Sequence, residues 1–88
     1  MDRKLLRSIT FGEQLKKYRL YRHLSQRNLT SKMHLYGSSL SPAVYSKIEN
    51  GDNNMYITDF IIYMIVVDIS FDEFFKSLVA EVKEAAES

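Results

Sequence analysis

The side chains able to do chemistry in this 88-residue chain are cations, hydroxyls and amides rather than nucleophiles or metal ligands. Cysteine is absent, which removes disulfides and thiolate metal sites. The two histidines, His23 and His34, stand eleven residues apart, with no carboxylate at helical spacing from both. No nucleophile–base pair or phosphate-binding glycine loop occurs, so neither an enzyme nor a cofactor or metal is expected. Charge placement carries more information. Residues 1–50 hold ten Lys and Arg against three acids, a net +7, and residues 51–88 hold two Lys against eight acids, a net −6. The basic half suits a polyanion, and the acidic half faces away from it. Asp2, Arg3, Lys4 and Arg7 break up the opening, which does not read as a secretory signal. The longest apolar run, residues 60–67, is far short of a membrane span. The expectation is a cytoplasmic protein with no membrane partner.

Those groups must be held by helices, because the apolar spacing is helical throughout and no segment calls for a strand. Thr10 and Glu13 form a T-x-x-E capping box. It predicts a first helix from Phe11 to about His23, with Phe11, Leu15 and Tyr18 inward. Ser25 is a good N-cap for a second helix, with Leu29 and Met33 inward and the small Thr30 on the inner side. Residues 34–40, with Gly37, Ser38 and Ser39, read as a loop. Ser41 caps a third helix with Pro42 at its first position, where a missing N–H costs nothing. Tyr45 and Ile48 share its inner face, and Gly51 stops it. Thr58 caps a fourth helix running to about Val67. Ser70 caps a fifth, with Asp72 and Glu73 in the first turn, where the helix dipole favours acids. Phe71, Phe74, Phe75, Leu78 and Val82 form its apolar stripe, and residues 81–88 read as a fraying helical tail.

Three segments in this order resemble the Cro and lambda-repressor (XRE) type of helix-turn-helix domain. Residues 12–26 read GEQLKKYRLYRHLSQ, with the leucine-serine-glutamine step that ends the family's first helix. Residues 41–51 read SPAVYSKIENG, closing on the family's I-E-N-G. Residues 57–75 read ITDFIIYMIVVDISFDEFF, similar to the family's last two helices and the joint between them. The isoleucine-rich fourth helix and the DEFF joint also resemble the N-terminal domains of Rgg-type regulators. The resemblance covers about residues 10–75. It implies an all-α, five-helix, lambda-repressor-like helix-turn-helix domain over residues 1–88, with an extended C-terminal helix over 76–88.

The resemblance also implies roles. It places Ser41, Pro42, Ala43, Ser46 and Lys47 on the DNA-facing side of the third helix, which in this fold enters the major groove. Lys47 can donate to guanine O6 and N7 or to a phosphate, and the two serines can donate to either. Gln26 takes a phosphate-clamping position at the start of the second helix, aided by the helix N-terminus. Arg27, Lys32, Lys16 and Lys17 extend a basic rim. Asn50 and Asn53, with Asn54, line the loop whose amides meet the backbone. Arg19 and Glu49 match a structural ion pair between the first and third helices. Three departures stand beside these. Pro42 and Ala43 lack the donors that relatives use for bidentate base contacts, which shifts specificity towards DNA shape. Asp52 stands where relatives carry Lys or Arg. Seven residues, 34–40, join the second and third helices where the family uses about two, so either the second helix gains a turn through Leu35 and Tyr36 or a loop bulges there.

The fourth helix is apolar all round, and such a helix must be covered on every side. Aligned on the family, Phe60, Ile61, Tyr63, Met64 and Val67 take apolar positions, whereas Ile62 and Ile65 replace charged ones. The expectation is a homodimer, or a partner protein, docked over Ile62 and Ile65 with Phe75, Val79 and Val82, unless the C-terminal helix folds back over that face. The leading expectation is therefore a dimeric, repressor-like transcriptional regulator that binds double-stranded DNA. The alternative is a protein-interaction module or antitoxin on the same scaffold, with weak or no DNA binding.

Overall fold

Helix ends form where side chains or tightened turns satisfy the backbone groups that a helix leaves unpaired, and that rule sets the element boundaries here. The computed structural model describes residues 9–87, in five helices: α1 (Ile9–Tyr21), α2 (Gln26–His34), α3 (Pro42–Glu49), α4 (Ile57–Val67) and α5 (Phe71–Glu87). No strand occurs among the described residues. Arg3, Lys4 and Arg7, counted in the basic half, lie outside them, as does Ser88.

Three serines cap as expected. Ser25 Oγ accepts from the Asn28 N–H at 3.0 Å, Ser41 Oγ from the Val44 N–H at 3.2 Å and Ser70 Oγ from the Glu73 N–H at 3.1 Å. The two threonine caps do not form. Thr10 lies inside α1, which already begins at Ile9. Thr58 lies inside α4, because the Tyr56 carbonyl accepts from the Phe60 N–H at 3.0 Å and so starts the helix two residues before a Thr58 cap would.

The exits from α1, α2, α3 and α4 share one device, a residue at positive φ with the next N–H reaching back five residues. His23 (φ 58), Gly37 (φ 100), Gly51 (φ 81) and Asp68 (φ 57) take this place. The back-bonds run from Leu24 to Arg19, Ser38 to Met33, Asp52 to Lys47 and Ile69 to Met64. This settles the connection between α2 and α3. Beyond His34 the chain tightens through Leu35 and Tyr36, whose N–H groups bond the Lys32 and Met33 carbonyls at 3.2 and 3.0 Å, and it leaves at Gly37. Ser38 to Leu40 then run irregularly to the Ser41 cap. The second helix thus ends at His34, a tightened turn through Leu35 and Tyr36 follows it, and only a short irregular piece remains.

The five helices share one core. Phe11, Leu15, Leu29, Met33, Tyr45, Ile48, Phe60, Tyr63, Val67 and Phe74 are buried in it. Phe60 is its centre, with ring centroids of Phe74 at 5.1 Å and Phe11 at 5.3 Å, both edge to face, an arrangement aromatic rings favour. The Tyr63 hydroxyl donates to the Leu15 carbonyl at 2.6 Å. Helix α1 crosses α3 where Gly12 sits, and a Cβ there would overlap the Glu49 carbonyl oxygen. The expected small residue Thr30 is buried as well, with Oγ1 donating back to the Gln26 and Arg27 carbonyls. Phe71 and Val82 belong to the expected apolar stripe of α5 yet stay half exposed. Phe74 and Leu78 of that stripe are buried in the core, and Phe75 packs against it half-buried.

Candidate nucleic-acid interface

The setting of α3 depends on one buried polar cluster. Arg19, from α1, donates through Nε to Glu49 Oε2 at 2.7 Å and through Nη2 to Glu49 Oε1 at 3.1 Å. Its Nη1 donates to the Leu24 carbonyl at 2.8 Å, at the turn between α1 and α2. Gln26, opening α2, donates from Nε2 to Glu49 Oε1 at 3.0 Å. Both members of the ion pair are buried, with side chains 8% and 3% exposed. The hydrogen bond with Glu49 holds the Arg19 pKa above its ordinary value, outweighing the opposing effect of burial. A planar guanidinium fits a carboxylate bidentately, so the pair fixes direction as well as charge. The end of α3 is thereby tied to α1 and to the start of α2. The expected Arg19–Glu49 pair exists, and Gln26 joins it.

About 100° separates successive residues of a helix. Tyr45, Ile48 and Glu49 face the core, so Ala43, Lys47 and Asn50 are exposed on the opposite side, and Ser46 is half-buried at its margin. Ser41 and Pro42 are half-buried at the N-terminal tip. Ser41 Oγ is engaged as the cap, which leaves its hydroxyl hydrogen to donate. Val44, 37% exposed on the other margin, belongs to this face and was not singled out from the sequence. A wheel centred on Tyr45, Ile48 and Glu49 is the signal that finds it. Arg27 is exposed on α2. In the loop after α3, Asn53 is half-buried with Oδ1 accepting from the Asn54 N–H at 3.2 Å, and Asp52 is exposed.

Several cations of the basic half do structural work instead. Arg22 donates to the Val67 carbonyl at 2.7 Å and the Asp68 carbonyl at 3.0 Å, closing the end of α4, where the dipole favours a cation. Lys17 Nζ donates to Ser77 Oγ at 2.8 Å and ties α1 to α5. Neither role is visible in the sequence, since the acceptors lie far along the chain. Lys16, Arg27, Lys32 and Lys47 remain exposed.

The expected partner face needs correction. Ile62 is not its centre: it is half-buried and packs against the core, as does Phe75. The exposed large apolar residues of α4 are Ile57, Ile61 and Ile65, a stripe at intervals of four, and those of α5 are Phe71, Val79 and Val82. The alignment placed Ile61 inside. The helix is rotated instead so that Phe60, Tyr63, Met64 and Val67 define the inner side, with Ile62 and Val66 on its flank. Helix α5 packs on Phe60 through Phe71, Phe74 and Phe75 and leaves Ile61 and Ile65 uncovered.

No helix is long and apolar enough to cross a membrane among the described residues, and no group of three or more His, Cys, Asp or Glu gathers there. The chain matches no model of a known protein family, and no curated protein matches it.

Proposed function

We propose that the chain is a DNA-binding transcriptional regulator of the helix-turn-helix class, as its XRE-type resemblance implies. It lays α3 in the major groove as a dimer joined through α4 and α5. The carrying observation is the orientation of α3. The buried Arg19–Glu49 pair, joined by half-buried Gln26, holds its inner side, while Ala43, Lys47 and Asn50 occupy the outer one and Ser46 its margin. Lys16, Arg27 and Lys32 supply phosphate contacts, which position the domain and give salt-dependent affinity. Because the Gln26 amide faces Glu49, a phosphate at the start of α2 is met mainly by backbone N–H groups.

The test is selection of bound duplex from a random pool with the full chain, repeated at several salt concentrations. A palindrome with half-sites roughly 34 Å apart supports the proposal. A pool with no enriched sequence sinks it.

A second reading, a protein-interaction module or antitoxin, is favoured by the exposed stripe Ile57, Ile61 and Ile65 and by the donor-free Pro42 and Ala43. Sedimentation of the wild-type chain and of Ile61→Glu tests the stripe. Dissociation by the variant, with folding intact, marks it as the dimer contact.

A further inference from the structure

We propose that Ala43 and Val44 read thymine C5-methyl groups, so that the first turn of α3 selects T-containing steps in the major groove. The inference rests on the DNA-binding reading above and adds a base class to it.

The first turn of α3 offers a bound base very little polarity. Pro42 has no N–H, Ala43 has no polar side-chain atom, and Val44 is a branched apolar side chain left 37% exposed. The Val44 N–H is already held by Ser41 Oγ at 3.2 Å. Neither residue is needed inside, where Tyr45 and Ile48 fill the core side of the helix. The thymine methyl is the apolar group that unmodified base pairs show in the major groove. Both kinds of pair carry donors and acceptors that apolar side chains would strip of water, but a G·C pair has no methyl to cover in return. Selectivity then comes from the methyl contact that offsets this cost at A·T pairs alone.

Lys47 completes the pattern. It lies one turn beyond both residues, at i+4 from Ala43 and i+3 from Val44, on the same side of the helix. At 1.5 Å per residue it stands about 6 Å further along, roughly two base-pair steps. The face therefore calls for thymine within about two base pairs of the guanine or phosphate that Lys47 meets.

The experiment uses the full chain and its selected duplex, prepared with thymine and with uracil at each T of the half-site. Uracil keeps O4 and loses only the methyl. Each methyl buried against Ala43 or Val44 is worth about fourfold in affinity. The expected result is a loss of that size at one or two positions, with the loss diminished in Val44→Ala. That variant is checked for unchanged melting. Equal binding of thymine and uracil duplexes, with a sequence still enriched, overturns the methyl reading and leaves DNA binding standing. Undiminished discrimination in Val44→Ala overturns the part assigned to Val44. Absence of any enriched sequence overturns the DNA-binding reading and this one with it.

Discussion

Gln26 Nε2 and Arg19 Nη2 donate to the same carboxylate oxygen, Glu49 Oε1, at 3.0 and 3.1 Å. One acid from α3 thus gathers the first turn of α2 and the last turn of α1. Glu49→Ala leaves the Arg19 charge buried without its partner. We expect it to cost about 3–5 kcal/mol, against about 1 kcal/mol for Gln26→Ala. Urea denaturation of the two variants checks the ratio. Normal melting of Glu49→Ala would remove the pair from its structural role.

Gly12 marks the closest approach of α1 to α3. Gly12→Ala drives a methyl into the Glu49 backbone, which cannot swing aside as a side chain can, and the expected loss is about 3 kcal/mol. Gly37→Ala is the comparison, since its site is open and only the φ of 100° resists. A loss of about 1–2 kcal/mol is expected there. Equal costs at the two positions would contradict the tight crossing.

Tyr45 and Tyr63 are both buried, and burial pushes both phenols well above the ordinary value of 10.0. The folded state keeps these protons where the unfolded chain releases them. Their contribution is complete below pH 10 and falls as pH rises beyond it, by about 1.4 kcal/mol per pH unit for each tyrosine. Denaturation at pH 9, 10 and 11 reads the slope. Tyr63→Phe flattens it, and at neutral pH loses about 1 kcal/mol with the bond to Leu15.

Gln14 is fully buried, and its carboxamide nitrogen and oxygen have no hydrogen-bond partner among the described residues. A near-isosteric apolar side chain removes that burden. Gln14→Met is expected to stabilise the fold by about 1–2 kcal/mol, read as a raised urea midpoint with unchanged slope. A lowered midpoint would show that the amide is satisfied.

Lys47 is exposed on the outer side of α3. Lys47→Ala is expected to lower the slope of log affinity against log salt by about 1 per recognition helix if the lysine meets phosphate. If it reads guanine, the loss is concentrated at one base position. Binding isotherms over a salt series, on matched and guanine-substituted duplexes, separate the two.

The parts legible in the chain were those governed by near neighbours. Ser25, Ser41 and Ser70 cap and Gly51 stops because each satisfies backbone groups within a few residues of itself, and those partners are adjacent in any fold. The Arg19–Glu49 pair spans thirty positions and was reached only through the likeness to a known pattern. Helical periodicity marked the inner residues of α1 to α3. In α4, where nearly every residue is apolar, periodicity has no contrast to report, so packing alone chose Ile62 for the flank and Ile61 for solvent. The same holds for the cations. Composition counts Lys17 and Arg22 with the basic half, but their acceptors, Ser77 and the end of α4, come within reach only after the chain has folded. Charge and capping are local properties; which side a helix buries, and which cations remain for a partner, depend on contacts between distant segments.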